Sequence, residues 1–208
     1  MADDIRDLGS APLWRHSPNW ARDPSTEIVM LRRVISERGT PHRLVQLEKD
    51  VPINFETEFV CTSKAEEKAV LAFFHGCRGR VKQFWIEHPR SLFDLKRSAP
   101  NGSSQLACIN NNFDKQYCGY ERFYMIMNNG DLITRKITGA EYDKNDDELI
   151  LSFTGDTDRD INLGDYQRMG RLLLVRLDSD DLAIRMETPS ICTFSLKFVE
   201  LVNEYGAV

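Results

Sequence analysis

The chain has 208 residues, with 27 basic and 32 acidic side chains, a formal net charge of -5 and a pI near 5.5. That balance weighs against a surface built to neutralise nucleic-acid phosphates, which needs concentrated basic charge. At this length roughly 70% of the unfolded chain's surface is buried on folding, so neither disulfides nor a metal is needed to hold a core.

Met1 to Ser10 is acidic and polar. It lacks the apolar run of a secretory signal, and no stretch of the chain is apolar for the length of a bilayer. Synthesis and folding in the cytoplasm are expected. Residues 1–24 show neither helical nor strand periodicity and carry Pro12, Pro18 and Pro24 with Trp14 and Trp20 between them. Each proline fixes its own φ and pushes its predecessor towards extended geometry, so an irregular extended arm is expected. The two indoles must bury on the arm's own domain or on a neighbouring subunit.

Residues 25–208 read as one β-rich domain. TEIVMLRRVIS is β-branched and apolar, Glu37-Arg38-Gly39-Thr40-Pro41 supplies a turn, and HRLVQLEK follows. VPINFETEFVC alternates, with Ile53, Phe55 and Phe59 apolar and Glu56 and Glu58 between them. A helix is predicted over about 63–78. Ser63 and Glu66 form a capping box, and Ala69, Val70, Phe73, Phe74 and Cys77 make a buried stripe. Gly76 or Gly79 ends it, with Arg78 and Arg80 near its negative pole.

VKQFWIEHP is the next strand, with Trp85 expected in the core, and RSAPNGSSQ is a loop by composition. LACIN, ERFYMIM, LITRKITGAEYD and DELILSFTG carry further strand signals. Asn129-Gly130 marks a hairpin of type I′, which requires positive φ at both central residues. RLLLVRLDSDDLAIRM and ICTFSLKFVELVNEY close the chain, with a turn at Asp178-Ser179-Asp180. The sum is a mainly β protein, an antiparallel sandwich or barrel with one packed helix.

The chemistry-bearing residues form no known catalytic arrangement, and no catalytic, cofactor or metal residue is nominated. Phosphate-binding glycine loops, the nucleophile elbow and HExxH are not found. His16, His42, His75 and His88 fall in four different predicted elements. His75 and Cys77 have no second pair to complete a tetrahedral metal site. Cys61, Cys77, Cys108, Cys118 and Cys192 are an odd, scattered set, read as free thiols. Asp156, Asp158 and Asp160 imitate the start of a calcium loop, but Ile161 and Gln167 stand where it requires glycine and glutamate. Arg78, Arg80 and Lys82 either complement the helix end or face a carboxylate-bearing partner or nucleic acid.

Pro18-Asn19-Trp20, EEKAVLAFFHGCRGRVKQFWIEHP, RLLLVRLDSDDLAIRM and FSLKFVELVNEY together resemble minor tail proteins of long-tailed bacteriophages and gene-transfer particles, of the distal-tail or tail-hub kind. The matching segments lie in 14–95 and 170–205. The resemblance implies a ring-forming β-sandwich of the tail-tube type, with residues 98–168 as a β-rich insertion. It implies a virion tail location after synthesis in the host cytoplasm. The expected partners are other copies of the chain, in a ring of six or three, together with the tail-tube protein and tip or hub proteins. Neither a membrane nor sequence-specific nucleic acid is implied as a partner. Trp14, Trp20, Arg78, Arg80, Glu200, Glu204 and Tyr205 are then candidate interface residues. Alternatives stay open. One is a carbohydrate- or receptor-binding sandwich that stacks sugars on Trp14, Trp20 or Trp85; another is a different virion joining component, such as a head–tail connector. A hydrolase on a β scaffold, for which no residue is nominated, and a small cytoplasmic adaptor outside any virus complete the set.

Overall fold

The structure, a computed structural model, describes residues 4–16, 19, 25–28, 32–35, 43–46, 53–88, 93–115, 117, 119 and 121–201. Trp20, Cys118, Glu204 and Tyr205, and the expected turn at 37–41, lie outside the described residues. The protein is mainly β. Its strands are β1 (Asp4–Ile5), β2 (Ser25–Ile28), β3 (Arg32–Ile35), β4 (Arg43–Gln46), β5 (Ile53–Cys61) and β6 (Phe84–Glu87), with α1 (Lys64–Cys77) between the last two. There follow β7 (Gln105–Ile109), β8 (Arg122–Met127), β9 (Leu132–Asp143), β10 (Glu148–Phe153), β11 (Tyr166–Leu177), β12 (Ile184–Met186) and β13 (Cys192–Glu200). The chain divides into two compact units, one holding residues 4–15 and 85–173 and the other 16–84 and 174–201 among the described residues.

In the first unit the antiparallel order is β11-β8-β9-β10-β7, and β1 pairs with β9 in parallel. Successive side chains of a strand point to opposite faces. Phe123, Met125 and Met127 of β8 therefore enter one core with Phe93, Leu106, Ile137, Leu149 and Met169. Phe123 meets Phe153 edge-on at 5.3 Å between ring centroids, and Phe93 meets Phe113 likewise at 5.0 Å. Arg122 and Tyr124 alternate with these and are also buried. The Arg122 guanidinium lies 4.5 Å from the centre of the Trp85 ring, so β8 is covered on both faces.

The hairpin between β8 and β9 is where the sequence promised a turn, but its type differs. Gly130 N–H donates to the Met127 carbonyl and Met127 N–H to the Asp131 carbonyl, both at 2.9 Å. Of Asn129 and Gly130 only the glycine takes a left-handed φ, +85°. This is the three-residue loop, an ordinary turn followed by a left-handed glycine. Asn129 instead spends its amide on Asp131, accepting from the backbone N–H at 3.0 Å and donating to the carboxylate at 2.8 Å.

In the second unit β2, β5 and β13 pair antiparallel in that order, and β13 also pairs with β12 and with residues 175–177 of β11. Phe55, Thr57, Phe59 and Cys61 alternate inwards along β5, and Cys192, Phe194, Leu196 and Phe198 along β13. Phe55 stacks on Phe198 at 4.9 Å and Phe59 on Phe194 at 5.3 Å. Phe84 sets its edge to Phe198 at 6.0 Å and meets Phe73 of α1 at 5.1 Å, which seats the helix on this face.

The Ser63 hydroxyl caps α1 by accepting from Glu66 N–H at 3.2 Å. The Glu66 carboxylate reaches back one residue beyond the simple capping box and accepts from Thr62 N–H at 2.7 Å. These bonds hold its carboxyl below the usual carboxylate range. The expected apolar stripe is narrower than the spacing suggested. Val70 and Cys77 are buried and Phe73 and Phe74 half-buried, but Ala69 is exposed, because a single sheet face covers only part of the helix circumference. The helix ends on Arg78, at φ +54°, with Gly79 left-handed beside it at φ +61°.

Candidate interaction surface

Residues 4–15 of the N-terminal arm are tied to the first unit. Leu13 bridges to Trp85 in parallel, Trp14 N–H donates to the Trp85 carbonyl and Trp85 N–H to the Pro12 carbonyl, each at 2.8 Å. The Trp85 indole N–H donates to the Leu8 carbonyl at 2.9 Å, and Arg122 Nε donates to the Asp7 carbonyl. The arm was expected to be irregular, yet β1 and Leu13 find backbone partners, because buried N–H and C=O groups must be paired. Trp14 is only 2% exposed. Its indole is buried in the first unit, the own-domain packing that the sequence left open beside a subunit interface.

Glu200, another of the expected interface residues, also lies within the sheet. It is buried, and its carboxylate accepts from Ile53 N–H at 3.0 Å, capping the start of β5.

Arg78 and Arg80 are exposed, and the structure separates their roles. Arg80 is forked onto Asp180. Its backbone N–H donates to Oδ1 at 2.9 Å, and Nε and Nη2 donate to Oδ2 at 3.2 and 3.0 Å. These donors hold the Asp180 carboxyl below the usual carboxylate range. Gly79 makes the approach possible, since a Cβ there would lie 2.4 Å from Asp180 Oδ1. Arg78 supplies the left-handed residue that turns the chain towards this contact, and its charge faces solvent.

The outward face of the β5–β13 ladder carries the polar residues of the alternation seen in the sequence. Glu56 stands opposite Lys197 and Glu58 opposite Ser195, with a Lys197–Glu56 ion pair at 3.5 Å. Asn19 lies along Glu58, its amide donating to the carboxylate at 2.8 Å and its backbone N–H to the carbonyl at 2.7 Å. A shallow polar cleft at one end of the ladder is lined by Ser25, Asn54, Glu56, Asp178 and Lys197. Another, at the other end, is lined by Glu58, Arg185, Glu187, Thr193 and Ser195.

Beyond β2 the chain forms a ribbon. β3 and β4 pair antiparallel as their own two-stranded sheet, with Arg32 opposite Gln46 and Ile35 opposite Arg43. Its sequence, RRVI and RLVQ, carries three of the chain's arginines in eight positions.

Elsewhere the ionisable groups serve the chain itself. Arg159 sits between Asp131 at 2.9 Å and Asp158 at 3.0 Å, and its guanidinium holds both carboxyls below their usual range. Asp160 accepts from Asn101 N–H at 2.8 Å, so the run that imitates a calcium loop is braced by an arginine. Burial pushes the Cys77 thiol up to about 11. No group of three His, Cys, Asp or Glu side chains among the described residues could hold a metal ion. No helix among them is long and apolar enough to cross a membrane. The chain matches no family model and no curated protein.

Proposed function

We propose that this protein is a structural subunit of a bacterial-virus tail, assembling with copies of itself into a ring at the distal end of the tail tube, where the ring joins the tube to the tip. The observation that carries the reading is the β3–β4 ribbon, which stands as a two-stranded sheet separate from the larger one. An isolated two-stranded hairpin is marginal in water at best. In the proposed ring a neighbouring subunit packs on this ribbon and supplies the rest of its stability. The open outward face of β5 and β13, lined with acid, base and amide side chains, suits a polar contact between subunits.

The saccharide-binding alternative loses two of its three stacking platforms, since Trp14 and Trp85 are buried at 2% and 0% exposure. The head–tail connector differs from the distal ring in its neighbours.

Light scattering on the purified full chain, with negative-stain images of the same fractions, tests the proposal. Rings of six or three copies are expected. A chain that stays monomeric up to its solubility limit overturns self-assembly into a ring.

A further inference from the structure

Cys61 and Cys192 stand directly opposite each other in the β5–β13 ladder. Cys61 is the last residue of β5 and Cys192 the first of β13, so the pair forms the terminal rung. Both side chains point to the buried face, at 1% and 2% exposure. Both are free thiols. Directly opposed antiparallel residues have Cα atoms about 4.5–5.5 Å apart. A disulfide spans roughly 4.4–6.8 Å between Cα atoms, so the backbone already stands at bonding range. The next rung on the same face, Phe59 opposite Phe194, braces both strands at that separation.

We propose that Cys61 and Cys192 are a disulfide-forming pair, closed by a small-molecule disulfide such as oxidised glutathione into a cross-strand staple between the end of β5 and the start of β13. One cysteine thiolate attacks the oxidant's S–S bond, and one small thiol leaves. The second cysteine thiolate then attacks the mixed disulfide, the Cys61–Cys192 bond forms and a second small thiol leaves. Two cysteine thiols are oxidised and one small disulfide is reduced to two thiols, which carry away the two protons.

The site's surroundings set the rate. Burial, the neighbouring Cys192 and the charges of Glu66 and Glu67 push the Cys61 thiol up to about 12. Little thiolate is present at neutral pH, so exchange is slow and speeds up as the pH rises. A terminal rung opens more readily than the middle of a ladder, and that fraying admits the oxidant. The other described cysteines lack such a partner: Cys108 stands opposite Leu149, and Cys77 closes the helix. This chemistry needs only the two thiols and does not rest on the ring reading.

The test uses the full chain, reduced, then incubated folded with oxidised glutathione at mildly alkaline pH, quenched in acid and digested with trypsin. Residues 50–64 and 186–197 are two tryptic peptides, each with one cysteine. The expected product is these two joined by a disulfide, with loss of two of the five thiols and a rise in Tm that a reductant reverses. The rise is expected because the bond closes a long loop of the unfolded chain. Cys61→Ala and Cys192→Ala should each abolish the joined peptide and the Tm shift. Recovery of both peptides as free thiols, or joined to glutathione or to other cysteines, overturns the proposal and requires no variant to fold.

Discussion

Asp180 and Arg80, 100 residues apart in the chain, are joined by three hydrogen bonds that use both carboxylate oxygens. The pair ties the turn after β11 to the end of α1. Its side chains are more than half exposed, so solvent weakens the charge attraction. The contact matters through geometry, because it requires the left-handed backbone at Arg78 and Gly79.

Gly79→Ala is therefore expected to destabilise the protein. The new Cβ would lie 2.4 Å from Asp180 Oδ1 and 3.0 Å from Asp180 Cα, at φ +61°. Backbone strain and the clash together should cost about 1–3 kcal/mol, read from the urea midpoint at unchanged m-value. Stability equal to wild type would show that the turn after β11 moves freely.

Asp180→Asn should show a pH signature. The folded-state carboxyl lies below its unfolded value, so its stabilising effect is complete above the unfolded value and is lost as pH falls through the folded one. Wild type should exceed the variant in Tm at neutral pH, with the two converging at the acid end of the carboxylate range. A constant gap across that range would contradict the linkage.

Glu87 should behave with the opposite sign. Burial pushes its carboxyl up, against the pull of Arg168 at 2.7 Å. The folded state therefore holds this proton more tightly than the unfolded chain. That contribution is fully present below the unfolded value and is lost as pH rises through the raised folded one. Glu87→Gln should remove this loss, so thermal melts between the usual carboxylate range and neutrality should be flatter for the variant. Equal slopes would count against it.

Phe198→Ala should be the costliest of these substitutions. The ring is 1% exposed and touches Phe55, Phe59 and Phe84. Its loss leaves a cavity in the second unit's core, worth about 3–5 kcal/mol in denaturant unfolding. A loss below about 1 kcal/mol would mean that the neighbouring rings collapse into the space.

Ser63→Ala removes the acceptor for Glu66 N–H. A loss of about 1 kcal/mol is expected, with Ser63→Thr restoring most of it, both read by thermal melts. Equal losses in the two variants would place the effect elsewhere than the cap.

Much of the fold was legible because it obeys local periods. The alternation in VPINFETEFVC and ICTFSLKFVE places Phe55, Phe59, Phe194 and Phe198 on one face, where they are found. Ser63 with Glu66 marked the start of α1, and Asn129-Gly130 the β8–β9 turn. The turn's type was misjudged, since Asp131 at the next position draws Asn129 into a side-chain bond. The candidate interface was legible only in part. Trp14 and Glu200 stood out by position, but their neighbours, Trp85 and Ile53, lie far off in sequence.

Composition and periodicity by themselves determined a mainly β chain, the inward faces of β5 and β13 and the start of the helix, because each follows from a few neighbouring residues. Only the tertiary structure decided that Trp14 lies inside, that Arg80 belongs to Asp180, and that Cys61 faces Cys192. Each of these depends on which distant strands pair and in what register, and shifting a strand by one residue would turn every side chain to the other face. No local pattern specifies that register; it follows from packing the buried faces of all the strands at once.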